Sequence, residues 1–177
     1  MVTTSATRAS TPARIASRAR RRRRWDKQPT EPAAVLIAST GVPIPGAAVS
    51  RAVTLSGGQP VAVVSLARIY GTALGLPNPG LLPTQRELAD QRDRVDRAVK
   101  AVQRAGVQGM GQVTATRRPG KTIARVAKAR DARYVVLVTP SQPRWRRFVE
   151  GNLAREISRR LSPGTTVEAV ITIAQPS

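Results

Sequence analysis

The chain has 177 residues, 41% of them hydrophobic, which is enough for one domain with a real core together with its tails. Thirty lysines and arginines against ten acids give a net charge of +20, which predicts association with polyanions. Cysteine and histidine are both absent, so a disulfide framework, a thiolate metal site and a histidine-based catalytic triad are excluded.

Residues 1–33 predict a disordered basic arm, because they are rich in Ser, Thr, Ala and Arg and lack apolar periodicity. Arginines beside a tryptophan can hold backbone phosphates while the aromatic ring stacks on a base. We therefore predict contact with nucleic acid or the ribosome through Arg20, Arg21, Arg22, Arg23, Arg24 and Trp25. The domain that follows the arm is also strongly basic, so we expect its surface to contribute to the same contact. An organellar transit peptide and an inert solubilising tail are the alternatives for this segment.

Strand and helix signals alternate from residue 34 onward. The apolar run at 34–39 predicts a buried strand, residues 46–55 a short helix stopped by two glycines, and 60–67 a second buried strand. Residues 68–83 are rich in glycine and proline and predict a long functional or mobile loop. No apolar run approaches the roughly 20 residues that span a bilayer, so we expect a cytoplasmic protein without a membrane partner.

A strong helix signal follows at Thr84, which has capping-box spacing with Glu87, and Gly106 ends the helix. The spacing also predicts intrahelical ion pairs, namely Asp90–Arg94, Asp93–Arg97 and Asp96–Lys100. Residues 107–116 predict a weaker strand interrupted by glycines, and 119–129 another helix that begins with proline.

The segment 134–161 predicts a buried strand at 134–138, an arginine-rich loop and a helix at 152–161. Asn152 is the expected N-cap of that helix. Arg144, Arg146 and Arg147 precede a helix start whose first amides are free, and this combination is typical of a phosphate site. Residues 166–173 predict a final strand, whose apolar edge invites pairing with another chain.

Alternating strands and helices predict an α/β domain over residues 34–174, a doubly wound, five-stranded, mostly parallel sheet with helices on both faces. The stretch Ala115–Thr122 also matches a relaxed phosphate-binding P-loop pattern that ends in Gly120, Lys121 and Thr122. Pro119 deletes an amide that such a loop needs, and no later strand ends in an aspartate for magnesium. We interpret this stretch as a helix start, with a P-loop ATPase as the less favoured alternative.

Three segments resemble the universal stress protein family: VLIASTG at 35–41, RRPGKTIARVAKARDARYVVLVT at 117–139 and GNLAREISRRL at 151–161. The resemblance implies a doubly wound domain that binds ATP or another adenine nucleotide and forms a homodimer through its last strand. Carried onto this sequence, it implies a nucleotide or phosphate site at Thr40, Gly41, Thr139, Arg144, Gly151 and Asn152.

This sequence departs from the family pattern at the site itself. Thr40 stands where the family has an aspartate, and Thr139 and Gln142 stand where it has a pair of glycines. Pro140 and Pro143 further weaken a cradle of backbone amides. We expect a stress-related binding protein without enzymatic activity, with an altered nucleotide site and a nucleic-acid-binding arm. The alternative is an ordinary ATP-binding member whose arm is incidental.

Overall fold

The computed structural model describes residues 31–68, 83–140 and 153–172. The predicted arm contacts from Arg20 to Trp25 lie outside these ranges, as do Arg144, Gly151, Asn152 and nearly all of the predicted loop at 68–83. The described strands and helices alternate in this order: β1 (Val35–Ser39), α1 (Gly46–Ser56), β2 (Val61–Arg68), α2 (Gln85–Arg104), β3 (Gly109–Thr116), α3 (Pro119–Ala129), β4 (Tyr134–Pro140), α4 (Leu153–Ser158) and β5 (Thr166–Thr172).

The strands form one parallel sheet in the order β3-β2-β1-β4-β5. β1 is fully buried, and its alternate side chains enter two different cores. Ile37 packs in the core under α1 and α2, whereas Leu36 packs in the core under α3 and α4. The predicted doubly wound sheet with helices on both faces is therefore confirmed.

Several predicted element ends differ from those of the structure; for example, the third strand begins at Gly109 rather than at Val107. The fourth strand runs to Pro140 rather than Val138, because Thr139 and Pro140 continue to pair with β5 after β1 has ended. The last helix ends at Ser158 rather than Leu161, although the Leu161 N–H still donates to the Ile157 carbonyl oxygen at 3.1 Å. Gly164 follows at a φ of +97°, so the chain turns there toward β5.

The start of α2 has the predicted capping box. Thr84 Oγ1 accepts from the Glu87 N–H at 3.2 Å, and the Thr84 N–H donates to Glu87 Oε2 at 2.7 Å. These hydrogen bonds lower the pKa of Glu87, since they favour its charged form.

The predicted ion pairs along α2 are wrong. Within the described ranges, salt bridges join Arg51 to Glu168 and Arg160 to Glu156, and none of the three predicted pairs on α2 forms. Exposed pairs gain little free energy in water, so other contacts easily replace them.

Glycines in β3 allow α2 to lie close to the sheet. A Cβ atom on Gly111 would stand 2.5 Å from Cγ1 of Val95, and one on Gly109 would stand 3.1 Å from the Val99 carbonyl oxygen. The glycines that weaken the strand signal in the sequence are thus required by helix–sheet packing.

Candidate functional site

The sheet has a topological switch point between β1 and β4. The chain leaves β1 through α1 on one face, whereas β4 leads to α4 on the other face. Divergent crossovers open a crevice beyond the carboxyl ends of two neighbouring strands, which is where doubly wound folds bind ligands.

Three of the predicted site residues meet at this crevice. Ser39 pairs with Val138, and the Thr40 N–H extends the ladder by donating to the Val138 carbonyl oxygen at 3.2 Å. Thr40 therefore lies beside β4, where Thr139 is the next residue, and Gly41 follows Thr40 directly. All three are partly exposed, so a ligand in the crevice can reach them.

Gly41 is required by the shape of the turn after β1. Its φ of +91° disfavours side chains with a Cβ atom, and an added Cβ would stand 3.1 Å from the Leu66 carbonyl oxygen. The Gly41 carbonyl oxygen accepts from Arg94 Nη1 at 2.8 Å. The turn is therefore held between β2 and α2.

Sequence reasoning missed the supporting residues of this turn. Ser65 is buried in β2, where it pairs with Ser39, and donates to Gln91 Oε1 at 2.9 Å, while Ser39 donates to the Val42 carbonyl oxygen at 2.6 Å. Gln91 and Arg94 lie one turn apart on α2. Their i,i+3 spacing is the sequence feature that indicates two polar side chains on the same side of the helix. Because these buried hydroxyls are satisfied within the protein, they hold the turn in place.

The carboxyl end of β1 carries no acid, since Thr40 occupies the position where the resemblance implies an aspartate. A threonine hydroxyl both donates and accepts but brings no negative charge. Arg94 lies behind the turn at hydrogen-bond distance from Gly41. The end of β1 therefore brings no negative charge to the crevice.

The stretch that resembles a P-loop is a helix start in the structure. Thr122 Oγ1, the atom that would hold magnesium in a P-loop, lies 2.8 Å from Thr116 Oγ1. The Glu156 carboxyl carbon stands 2.5 Å from the point where a Cβ on Gly120 would lie, so a carboxylate already occupies the first turn of α3. This geometry favours the interpretation of the stretch as a proline-glycine helix start.

An open cavity of about 490 Å³ lies at the same stretch. It is lined by Ala115, Thr116, Arg117, Arg118, Lys121, Thr122 and Arg125. The described residues contain no group of three carboxylates suited to a metal ion, and none of their helices is long and apolar enough to cross a membrane.

No family model matches the chain, and no curated protein matches it in sequence. Among solved structures, the universal stress protein from Archaeoglobus fulgidus is 16% identical, with a TM-score of 0.53 over 78% of this chain and 93% of that one. A universal stress family protein from Burkholderia pseudomallei is 17% identical, with a TM-score of 0.54 over 77% of this chain and 95% of that one.

A universal stress protein in complex with cAMP is 14% identical to the chain. The likeness has a TM-score of 0.55 and covers 78% of this chain and 97% of the other. Together these likenesses show that the chain has the universal stress protein fold.

Proposed function

We propose that this protein is a non-enzymatic, stress-related binding protein that takes an adenine nucleotide at the crevice between β1 and β4 and contacts nucleic acid through its basic arm. The observation that carries the proposal is the meeting of Thr40, Gly41 and Thr139 at the switch point of the sheet. A structure of the same fold in complex with cAMP supports an adenine nucleotide as the ligand.

The site differs from the family pattern at the position where the sugar and base of the nucleotide would bind. In doubly wound folds a carboxylate near the crevice accepts hydrogen bonds from ribose hydroxyls, and Thr40 supplies only a neutral hydroxyl. Phosphate groups meet no nearby negative charge from β1 in this crevice. We therefore expect binding that depends on phosphate and discriminates weakly among sugars and bases.

Isothermal titration with ATP, ADP and cAMP tests this site. Thr40→Asp restores a carboxylate at the crevice, and Thr54→Asp adds the same charge on the exposed face of α1 as a control. A hydrogen bond to a charged group contributes about 1.5–3 kcal/mol, so we expect Thr40→Asp to tighten ATP binding about ten- to hundredfold and Thr54→Asp to leave it unchanged. The absence of heat from both wild type and Thr40→Asp at millimolar nucleotide refutes a nucleotide site.

The arm is tested separately with labelled RNA and DNA. Replacement of Arg20 to Arg24 by glutamine removes five charges from the full chain and should weaken binding and flatten its salt dependence. Equal affinity of this variant and wild type at 150 mM salt (about the physiological ionic strength) refutes the arm as a nucleic-acid contact.

The last strand is proposed as the dimer surface. β5 lies at one edge of the described sheet, where its outer backbone groups have no neighbouring strand. A second copy of the chain would cover this edge. Sedimentation of the purified protein checks it, and a monomer at high concentration contradicts it.

A further inference from the structure

The segment from Arg117 to Arg130 carries six basic residues and no acid. Five of the six side chains are exposed, and we name them the α3 basic stripe: Arg117, Arg118, Lys121, Arg125 and Lys128. The sixth, Arg130, turns inward at 5% exposure and donates to the Glu31 carbonyl oxygen at 3.1 Å. The stripe is therefore a separate outward-facing set of charges.

The three stripe members within α3 lie along one side of the helix. At about 100° per residue, Lys121, Arg125 and Lys128 fall within about 60° of one another, and neighbouring members lie roughly 5–6 Å apart. Arg118 to Lys128 spans about 15 Å at 1.5 Å per residue. Such a row of positive charges matches a ligand with regularly spaced negative charges better than it matches one phosphate.

The stripe is not neutralised by the described part of the chain. No member lies within 4 Å of a carboxylate there, since the salt bridges of the described ranges are Arg51–Glu168 and Arg160–Glu156. The nearby Glu156 carboxylate stands against Gly120, which lies roughly 80–140° around the helix from the stripe, and it is paired with Arg160 at 3.0 Å.

An open cavity continues the stripe at its N-terminal end. Four of the five stripe members line its volume of about 490 Å³, together with Thr116 and Thr122. One of those two hydroxyls donates to the other at 2.8 Å, and the guanidinium and ammonium groups supply the charged donors for an incoming anion. Three of the five members are arginines, whose planar fork matches phosphate oxygens in a bidentate manner.

We propose that the α3 basic stripe binds the phosphate backbone of nucleic acid, independently of base sequence, on the folded domain itself. The inference deepens the proposed nucleic-acid function by placing a second contact on the domain, and it does not depend on the nucleotide crevice. Backbone contacts position a protein on nucleic acid and carry no sequence information directly, so any duplex of sufficient length is a ligand.

The chain contains a matched control on the opposite face of the sheet. Arg97, Lys100 and Arg104 are exposed on α2 and, at about 100° per residue, also fall within about 60° of one another. They differ from the stripe because α2 also carries four acids: Glu87, Asp90, Asp93 and Asp96. The two triplets therefore share charge and spacing but not their electrostatic surroundings.

Fluorescence anisotropy with a labelled DNA duplex of about 20 base pairs, a length that exceeds the 15 Å stripe, tests the proposal in the full chain. The stripe variant is Lys121→Gln, Arg125→Gln and Lys128→Gln, and the control variant is Arg97→Gln, Lys100→Gln and Arg104→Gln. Both lower the net charge by the same amount, and thermal melting of each confirms folding before the titration.

We expect the stripe variant to bind about ten- to hundredfold more weakly near physiological salt, and the slope of log K against log salt to become shallower by about 2–3. The control variant should change both quantities much less. Equal losses in the two variants, or no loss in the stripe variant, overturn the proposal. It is also overturned if polyglutamate competes with the duplex as effectively as unlabelled DNA of equal charge, because the surface would then fit an acidic protein.

Failure of the stripe is distinguishable from failure of the proposed function. Loss of binding on neutralising Arg20 to Arg24, with none on neutralising the stripe, retains the arm and rejects the stripe. The reverse result retains the stripe and rejects the arm. ATP titration of the stripe variant reports on the crevice alone, and we expect wild-type heat there.

Discussion

Helices α2 and α3 cover opposite faces of one sheet and differ in almost every other respect. α2 has 20 residues, begins with a capping box and mixes six bases with four acids. α3 has 11 residues, has Arg118 at its N-cap position without a side-chain cap, and carries only bases among its charged residues. Because both cover the sheet with buried apolar side chains, the difference lies in their ends and outer faces.

The comparison separates what folds the domain from what the domain presents to partners. The inner faces of both helices follow the apolar period that packing requires. The outer face of α2 is nearly balanced in charge, whereas that of α3 is a concentrated positive field. Substitutions on the inner faces should therefore change the stability of the domain, and substitutions on the outer faces should change its binding to partners.

The largest stability effect is expected at Ile123, which is fully buried where α3 meets the sheet. Ile123→Ala leaves a cavity in a short helix and should cost about 2–5 kcal/mol in urea unfolding. Val102→Ala, at an equally buried position of α2, removes fewer carbons and should cost less. A larger loss of stability in Val102→Ala than in Ile123→Ala would contradict the packing of Ile123 between α3 and the sheet.

Two glycines offer the next contrast, because each faces a different kind of neighbour. Gly111→Ala places a methyl group against the stiff Val95 side chain and should cost about 1–3 kcal/mol, with recovery in a Val95→Ala background. Gly120→Ala meets only the end of the flexible Glu156 side chain and gains helix propensity, so its cost should be smaller. Urea denaturation measures all three variants. A Gly111→Ala defect that Val95→Ala leaves unchanged contradicts the close approach of α2.

The fold could be predicted from sequence because its signals are local. Val35 to Ser39 and Tyr134 to Val138 are short apolar runs, and such runs are typical of strands buried on both faces. The capping box at Thr84 and Glu87 placed the start of α2 within one residue.

The supporting contacts of the candidate site could not be predicted in the same way. The i,i+4 spacing predicts a pair between Arg94 and Asp90, but Arg94 reaches the Gly41 carbonyl oxygen 53 positions earlier in the chain. The contact of Glu156 with Gly120 likewise joins two helices that only the folded sheet brings together. The family resemblance implies Thr40 and Thr139 as site residues, and the parallel register brings them side by side.

A smaller effect is expected at the N-termini of the two helices. Thr84→Ala removes the side-chain acceptor of the capping box and should destabilise the protein by about 0.5–2 kcal/mol. Arg118→Ala at the start of α3 removes no cap and should change stability less. Thermal melting of the two variants measures the difference. Equal losses of stability would mean that the cap at α2 contributes nothing beyond the propensity of the residue.

The smallest effect is the pH dependence that Glu87 contributes at the start of α2. The Thr84 backbone and side chain lower the pKa of Glu87, so its stabilisation is present above the unfolded pKa and is lost as pH falls through the folded pKa. Glu87→Gln retains an acceptor for the Thr84 N–H but has no charge to titrate. Between pH 7 and values below the ordinary glutamate pKa of 4.5, wild type should therefore lose more stability than Glu87→Gln. Urea unfolding at both pH values measures this, and identical losses contradict a charged capping box. Residues 117–130 contain no acid, so α3 has no carboxylate of its own that could contribute to this pH dependence.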